Sequence, residues 1–510
     1  MPSLASLPRV AVALGFETAE KLLQHARQEA DQGERFLEFR LDYLERPQEG
    51  VAAVREFCRR YPECLILATC RRRQNHGRFH GGLEEQMRVL QAAVDAGACG
   101  VDIEIESAES APAALSAFQG RALVIVSYHN FEGTPALEPV LKRLTRASAD
   151  LYKLVTTARK PSDNYRVLSL VRAHARTPLI VMAMGDIGLP SRALGVVFGS
   201  RYTYAAPSAG EGTAPGQVSG RHLRHVYHID KLSRSTKIYG VIGDPLAHSI
   251  SPAVHNRAFQ ARRLDAVYLP FRVLSGQLRD FMVLAEKLPV AGFSVTIPHK
   301  QKILRYLDAV DPLARRIGAV NTVWRRAARW RGTNTDAEAV RIALTRRLRL
   351  SGACVLLVGN GGAARGAAFT LTDAGARLGI VGRNADRVRA LAKACGAEPL
   401  LFDQAVSRHF DALVHATPLG MYPRVDECFF PDRIPAEIVF DMVYNPVETL
   451  LIRRALEQGK QVICGLEMFQ EQAVRQFEIW TGQPAPQAAM ERAAREALEE
   501  IRRHIMSEGR

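Results

Sequence analysis

Short apolar runs alternate with amphipathic stretches through the first part of the chain. Eight such runs are Val10–Leu14, Phe36–Leu41, Leu65–Cys70, Val101–Ile105, Leu123–Ser127, Leu151–Val155, Leu179–Ala183 and Tyr202–Ala205. Stretches such as Glu17–Ala30, Leu83–Ala96 and Pro135–Ala147 lie between them with helical periodicity. Repeated strand–helix units are therefore predicted over residues 1–232. A count of eight favours a (β/α)8 barrel over a doubly wound sheet, the alternative for such a pattern.

The pattern restarts after a polar segment, Asp230–Lys237, with the apolar run Ile238–Ile242. A small α/β domain is predicted over residues 236–338. Cys354–Val358 then opens a second α/β unit over residues 339–465, with a glycine-rich turn after its first strand. The C-terminal helices, residues 466–510, are expected to pack back on the first of these two lobes. The last of them, Pro486–His504, is rich in Ala, Glu and Arg and reads as a solvated terminal helix.

Composition narrows the function classes. The chain has 510 residues, too many for one hydrophobic core, with 47% hydrophobic and 24% charged residues, an ordinary globular balance. No apolar run is long enough to span a bilayer, and the N-terminus lacks a signal-peptide layout. The eight cysteines form no CxxC pair, so neither a zinc site nor a disulfide framework is indicated. A cytoplasmic protein without a metal is expected. The net charge is +15, but its arginines are dispersed, with no basic tail. That argues for small anionic substrates and a phosphorylated cofactor rather than nucleic acid.

Candidate chemistry in the first half falls at strand ends, where barrels of this kind carry their active sites. Glu38 and Arg40 are two apart on one strand and face the same side. Arg71 ends the next strand, His129 follows the fifth, Lys153 lies within the sixth, and Arg192 and Gln217 occupy later loops. Lys153 has two readings: a strand-end lysine reaching solvent, or an amine depressed by burial for attack on a carbonyl. His129 is either a hydrogen-bonded core histidine or a proton carrier beside that amine. The stretches LEFRLD (37–42), VSYHNF (126–131), LYKLV (151–155), MAMGDIGLPSR (182–192) and APGQVS (214–219) resemble type I 3-dehydroquinate dehydratase. The resemblance implies a Schiff base on Lys153, His129 as general acid/base, and Glu38, Arg40, Arg71, Arg192, Thr213 and Gln217 around the substrate. The family usually carries a glutamate before paired glycines after the third strand. Here His80 precedes Gly81 and Gly82, so a less basic His129 and an altered pH profile are expected.

In the second half, VIGDPLAHSISPAVHN (241–256) places Ser249 and Ser251 before a helix. Two hydroxyls at a helix start can form a carboxylate site, or simply cap the helix. AGFSVTIPHK (291–300), GAVNT (318–322) and RGTNTD (331–336) follow in order. Together the four stretches resemble shikimate dehydrogenase. The resemblance makes Lys300 and Asp336 a catalytic pair, with Ser249, Ser251, Thr296, Asn321, Tyr444 and Gln472 binding substrate; Ser294 is given no role. The turn VLLVGNGGAARGAA (355–368) carries Gly359, Gly361 and Gly362 into a helix, as a pyrophosphate requires. After the next strand, IVGRNADR (380–387) offers Arg383 and Arg387 and no acidic residue to take a ribose hydroxyl, which favours NADP(H) over NAD. By resemblance, Ala363, Asn384, Thr417 and Gly465 join the cofactor contacts, and His415 replaces a usual asparagine.

The order of the halves resembles the bifunctional dehydratase–dehydrogenase of plants and some bacteria: a TIM barrel followed by a two-lobed α/β unit with a Rossmann NADP-binding domain. It implies dehydration of 3-dehydroquinate and reduction of 3-dehydroshikimate to shikimate. A quinate-preferring dehydrogenase and a non-catalytic metabolite sensor are the alternatives; Lys153, Lys300 and Asp336 argue against the sensor. A monomer is one option the sequence leaves open.

Overall fold

The computed structural model describes residues 2–208, 212–247 and 249–508. His248, within the stretch 241–256, lies outside the described residues, as do residues 1, 209–211, 509 and 510. The chain divides into two compact units. One comprises Met1–Thr236, Leu269–Val273 and Arg279–Leu288; the other comprises Lys237–Tyr268, Leu274–Leu278 and Pro289–Arg510. Among the described residues no helix is long and apolar enough to cross a membrane.

The first unit contains the eight predicted strands: β1 (Val10–Leu14), β2 (Phe36–Arg40), β3 (Leu65–Thr69), β4 (Gly100–Glu104), β5 (Leu123–His129), β6 (Leu151–Thr157), β7 (Leu179–Met184) and β8 (Thr203–Ala205). They form one parallel sheet in the order β7-β6-β5-β4-β3-β2-β1-β8, a nearly closed barrel. Helices such as Ala19–Asp31 bury one face against it through Leu22, Ala26 and Ala30. Alternate strand residues, among them Leu67, Ile125, Leu151, Val155, Ile180 and Tyr204, fill the interior. β5 and β6 each run two residues beyond the predicted apolar runs, so His129 is strand rather than loop.

Two further sheets follow along the chain. β9 (Lys237–Gly243), β10 (Ala266–Arg272), β11 (Val290–Val295), β12 (Ala309–Val310), β13 (Thr322–Arg326) and β14 (Arg329–Thr333) form a mixed sheet in the order β10-β9-β11-β13-β14-β12. β15 (Cys354–Val358), β16 (Arg377–Val381), β17 (Glu398–Pro399), β18 (Phe410–His415), β19 (Ala436–Asp441) and β20 (Gln461–Ile463) form a parallel sheet in the order β17-β16-β15-β18-β19-β20. In β15 the side chains alternate between two cores. Val355 and Leu357 meet Ala364, Ala367 and Ala368 of the helix Gly362–Asp373. Leu356 and Val358 meet Leu400, Phe430 and Leu451 on the other face. The strand order reverses between β15 and β18, and ligands of such sheets bind at the carboxyl ends of strands there.

The terminal helix corrects an expectation. It spans Gln487–Glu508, and it is not solvated all round: Met490 and Ala494 are buried with Phe259 and Phe477 in the core of the first lobe. Its alanines lower the apparent hydrophobicity while leaving room for close helix packing.

Candidate active sites

Inside the barrel, strand alternation turns a set of polar side chains into the lumen. Glu38 and Arg40 from β2, Thr69 from β3, Asp102 from β4, Ser127 from β5 and Lys153 from β6 are all buried. Lys153 Nζ donates to Asp102 Oδ2 at 2.8 Å, lies 3.9 Å from Glu38 Oε1 and sits 3.9 Å above the Tyr204 ring. Ser127 donates to Asp102 Oδ1 at 2.6 Å, and Arg71 lies 3.3 Å from the same oxygen. Thr69 donates to Glu38 Oε1 at 2.7 Å. Burial alone would raise the Asp102 carboxyl, but Lys153 and Arg71 outweigh it and hold it at about 2. Burial pushes the Lys153 amine below its ordinary value against the pull of Asp102 and Glu38. The lysine is therefore packed inside the lumen rather than reaching solvent.

His129 stands one strand over, two residues beyond Ser127, which pairs with Lys153. Burial, and then the cations Arg71, Lys153 and Arg40, push its imidazole well below the usual histidine range. It is a base at neutral pH, hydrogen-bonded to no protein group among the described residues. The loop histidine that acts on it is His76, in the left-handed region at φ 62° with its ring 4.5 Å from Phe131. His80 is exposed. His129 is thus depressed, as expected, but the loop histidine among the causes is His76 rather than His80.

Three guanidinium groups complete the site. Arg40 pairs with Asp42 through two bonds, 2.9 and 2.8 Å. Arg192 is fully buried, and its only partners among the described residues are Met182 Sδ at 3.3 Å and Pro215 O at 3.1 Å. Burial pulls it down to about 10. Nε of both Arg71 and Arg192 is buried without a partner among the described residues. Buried cations with unused donors are costly, and an anionic ligand relieves that cost. Gln217 is turned toward its own loop, its Oε1 accepting from Thr213 N at 2.8 Å and Ala214 N at 3.2 Å.

Sequence reasoning passed over Asp102 and Glu104. Glu104 accepts from Arg72 N at 2.9 Å and Gln86 Nε2 at 2.7 Å, which buttresses the loop carrying Arg71. The available signal was two carboxylates, two apart, in the otherwise apolar β4.

In the second unit Lys300 follows the β11 turn, and Asp336 opens the helix Thr335–Thr345. Lys300 Nζ donates to Asp336 Oδ2 at 2.6 Å. A Cβ on Gly362 would lie 3.6 Å from Lys300 Cδ, so the pair adjoins the start of the helix Gly362–Asp373. Asn321 accepts from Thr335 N at 2.8 Å and from Thr322 Oγ1 at 2.8 Å. Ser251 is buried at the start of the helix Ser251–Ala261, while Ser249, Thr296, Tyr444 and Gln472 are partly exposed. Among the described residues Gln472 bonds only its own helix, at Phe469 O. One turn on, Gln476 carries a network that sequence reasoning missed. It accepts from Ser294 at 2.9 Å and donates to Thr322 at 3.1 Å, and Tyr268 donates to Ser294 at 2.7 Å. Ser294 thus sits inside the polar floor of this lobe.

The glycine-rich turn adopts the geometry a dinucleotide needs. Gly359 has φ 123°, and a Cβ there would meet Ala416 O at 2.8 Å. Gly361 precedes the helix Gly362–Asp373, which no side chain among the described residues caps, and a Cβ on Gly361 would find open space. Free N–H groups at a helix start suit a phosphate; Ala363 lies in that first turn. At the end of β16, Asn384 caps the helix Ala385–Cys395 by accepting from Arg387 N at 3.0 Å. Arg383 and Arg387 are exposed and without an ion-pair partner among the described residues. Gly465 is required by close approach, since a Cβ there would meet Val443 O at 2.4 Å. Thr417 lies in the loop after β18, beside Gly359.

Comparison with known proteins finds two enzyme families in order along the chain. The type I 3-dehydroquinase family matches residues 10–234. The shikimate dehydrogenase substrate binding domain matches residues 241–323, and the shikimate 5'-dehydrogenase C-terminal domain matches residues 465–495. The chain is 34% identical to the chloroplastic bifunctional 3-dehydroquinate dehydratase/shikimate dehydrogenase of Arabidopsis thaliana, over 95% of this chain and 83% of that protein. It is 31% identical to the shikimate biosynthesis protein AroDE of Chlamydia pneumoniae, over 74% of this chain and 78% of that protein. It is 40% identical to the NADP(+) shikimate dehydrogenase of Thermosynechococcus vestitus, over 53% of this chain and 99% of that protein. A crystal structure of a shikimate dehydrogenase in complex with NADP+ superposes with a TM-score of 0.50 at 35% identity, covering 52% of this chain and 97% of that one.

Proposed function

The chain belongs to the bifunctional 3-dehydroquinate dehydratase/shikimate dehydrogenase family, and on that premise we propose which of its residues carry the two reactions. It is a lyase and an NADP(H)-linked oxidoreductase of the shikimate pathway. We assign residues 1–232 to the dehydratase barrel. Residues 236–338, with the helices of 466–510, form the substrate lobe, and residues 339–465 the NADP(H) lobe. Its eight cysteines are all free, which fits work in a reducing cytoplasm. The proposed ligands are small anions, 3-dehydroquinate, 3-dehydroshikimate and shikimate.

In the barrel, Lys153 is the nucleophile. Asp102, 2.8 Å away, orients the amine, whose neutral form, favoured by burial, attacks the substrate ketone. Loss of water gives an iminium, which acidifies the adjacent C–H bond. His129 removes that proton and returns it to the departing hydroxyl, which leaves as water. Hydrolysis of the iminium frees Lys153, so the net change is loss of one water. Arg71 and Arg192 bind the substrate carboxylate with their unused Nε donors. Glu38, Arg40, Thr213 and Gln217 position the hydroxyls.

In the second unit, Ser249, Ser251, Thr296, Asn321, Tyr444 and Gln472 hold 3-dehydroshikimate. Lys300, oriented by Asp336, donates a proton to the ketone oxygen. NADPH supplies the hydride when bound. The uncapped helix start at Gly361, Gly362 and Ala363, reached over Gly359, accepts its pyrophosphate. Arg383, Asn384 and Arg387 take the 2′-phosphate, and Thr417 and Gly465 lie toward the nicotinamide. The residues fit the group, since the exposed guanidinium pair stands where an acidic residue would select NAD.

The observation that carries the first assignment is a lysine buried in the barrel lumen, bonded to Asp102 and flanked by Glu38. Borohydride added with 3-dehydroquinate should fix a covalent adduct on Lys153, seen by peptide mass spectrometry. An unmodified Lys153 peptide would refute the Schiff base.

A further inference from the structure

We propose that His415 is a positioning residue for the cofactor: it sets the direction of the Thr417 hydroxyl, so that Thr417 accepts a hydrogen bond from the nicotinamide carboxamide. The proposal rests on the assignment of Thr417 to the cofactor site. His415 ends β18, at the point where the strand order of the parallel sheet reverses. It pairs with Val358 of β15 on one side and Asp441 of β19 on the other. Both His415 and Asp441 are buried.

The hydrogen bonds assign the tautomer. Asp441 Oδ1 accepts from Val443 N at 3.0 Å and lies 2.9 Å from His415 Nδ1. Asp441 Oδ2 accepts from Thr449 Oγ1 at 2.6 Å. A carboxylate already receiving two hydrogens has only acceptor capacity left, so His415 Nδ1 carries the ring hydrogen and donates it. In the neutral ring Nε2 is then an acceptor. Thr417 Oγ1 lies 2.6 Å from Nε2 and must turn its hydrogen toward it. The same oxygen accepts from Leu419 N at 3.3 Å. One lone pair remains, on a partly exposed side chain next to Gly359 of the glycine turn. An acceptor at that place matches the amide N–H of a carboxamide. An asparagine at position 415 could bond Asp441 but is too short to reach Thr417 as well.

The test measures binding, without turnover. Dissociation constants for NADP+ and for its nicotinamide-free fragment, 2′-phospho-ADP-ribose, are compared by calorimetry on the full chain and its variants. Thr417→Val and His415→Leu should each weaken NADP+ about tenfold, the loss of one oriented hydrogen bond, and leave the fragment unchanged. His415→Asn, which keeps a donor for Asp441, should repeat the selective loss and guards against a folding defect. The double variant with Thr417→Val should bind no more weakly than either single one. Selective weakening by Thr417→Val but not by either His415 variant would overturn the role of His415. No weakening by Thr417→Val would instead remove Thr417 from the cofactor site. Equal losses for NADP+ and the fragment would reduce His415 to a structural residue.

Discussion

Asp102 accepts from Lys153 and Ser127 and faces Arg71, so its charge balances two buried cations. Asp102→Asn keeps the shape and removes the charge, leaving only Glu38 to oppose the burial of Lys153. Dehydratase turnover should fall about a hundredfold while shikimate oxidation by the same preparation stays unchanged. Parallel losses in both rates would mean a global defect. His129 offers a second test. Because His76 helps depress its imidazole, His76→Gln should move the limb of the dehydratase pH profile that reports His129 to higher pH, whereas His80→Glu should leave it in place. The loop was the least legible part of this site. The missing glutamate drew attention to His80, but the loop histidine that bears on His129 is His76. Asp102 was missed because a carboxylate in β4 looks like a strand end until its partners on β5 and β6 are known. The buried lysine and the arginines were readable, since charges inside an apolar run are expensive and need a reason.

At the scale of elements, the barrel strands were legible because parallel strands covered on both faces read as unbroken apolar runs. The edges that failed were β5 and β6, whose last residues are polar and face the lumen mouth. The terminal helix was misjudged because alanine, which packs closely against the helix Ser251–Ala261, scores as indifferent to water. The network of Tyr268, Ser294 and Gln476 had only one sequence signal: Gln476 lies four residues after Gln472 on the same helix face. The strand–glycine–helix element and the arginines after β16 were readable together. Replacing Arg383 and Arg387 with alanine should raise the KM for NADPH at least tenfold and change that for NADH little; each guanidinium–phosphate contact contributes on the order of 1.5 kcal/mol. Equal effects on the two cofactors would place the 2′-phosphate elsewhere.

For the whole molecule, buried histidines link stability to pH. Burial lowers His255 to about 3 and His129 well below its usual range. Each is neutral when folded but takes up a proton near pH 6.5 when unfolded. Their stabilising contribution is therefore complete above pH 6.5 and is lost as pH falls below it, by about 1.4 kcal/mol per pH unit for each group. Urea unfolding followed from pH 7 to pH 5 should show midpoints falling for both compact units, and His255→Phe should flatten the dependence of the second. The central claim is that one chain performs two successive reactions, the first through Lys153. Its most direct test is NADPH absorbance with this protein alone, supplied with either 3-dehydroquinate or 3-dehydroshikimate. The wild-type chain should consume NADPH with both, and Lys153→Ala only with 3-dehydroshikimate. Consumption with 3-dehydroquinate by the Lys153→Ala variant, or none by the wild type, would contradict it.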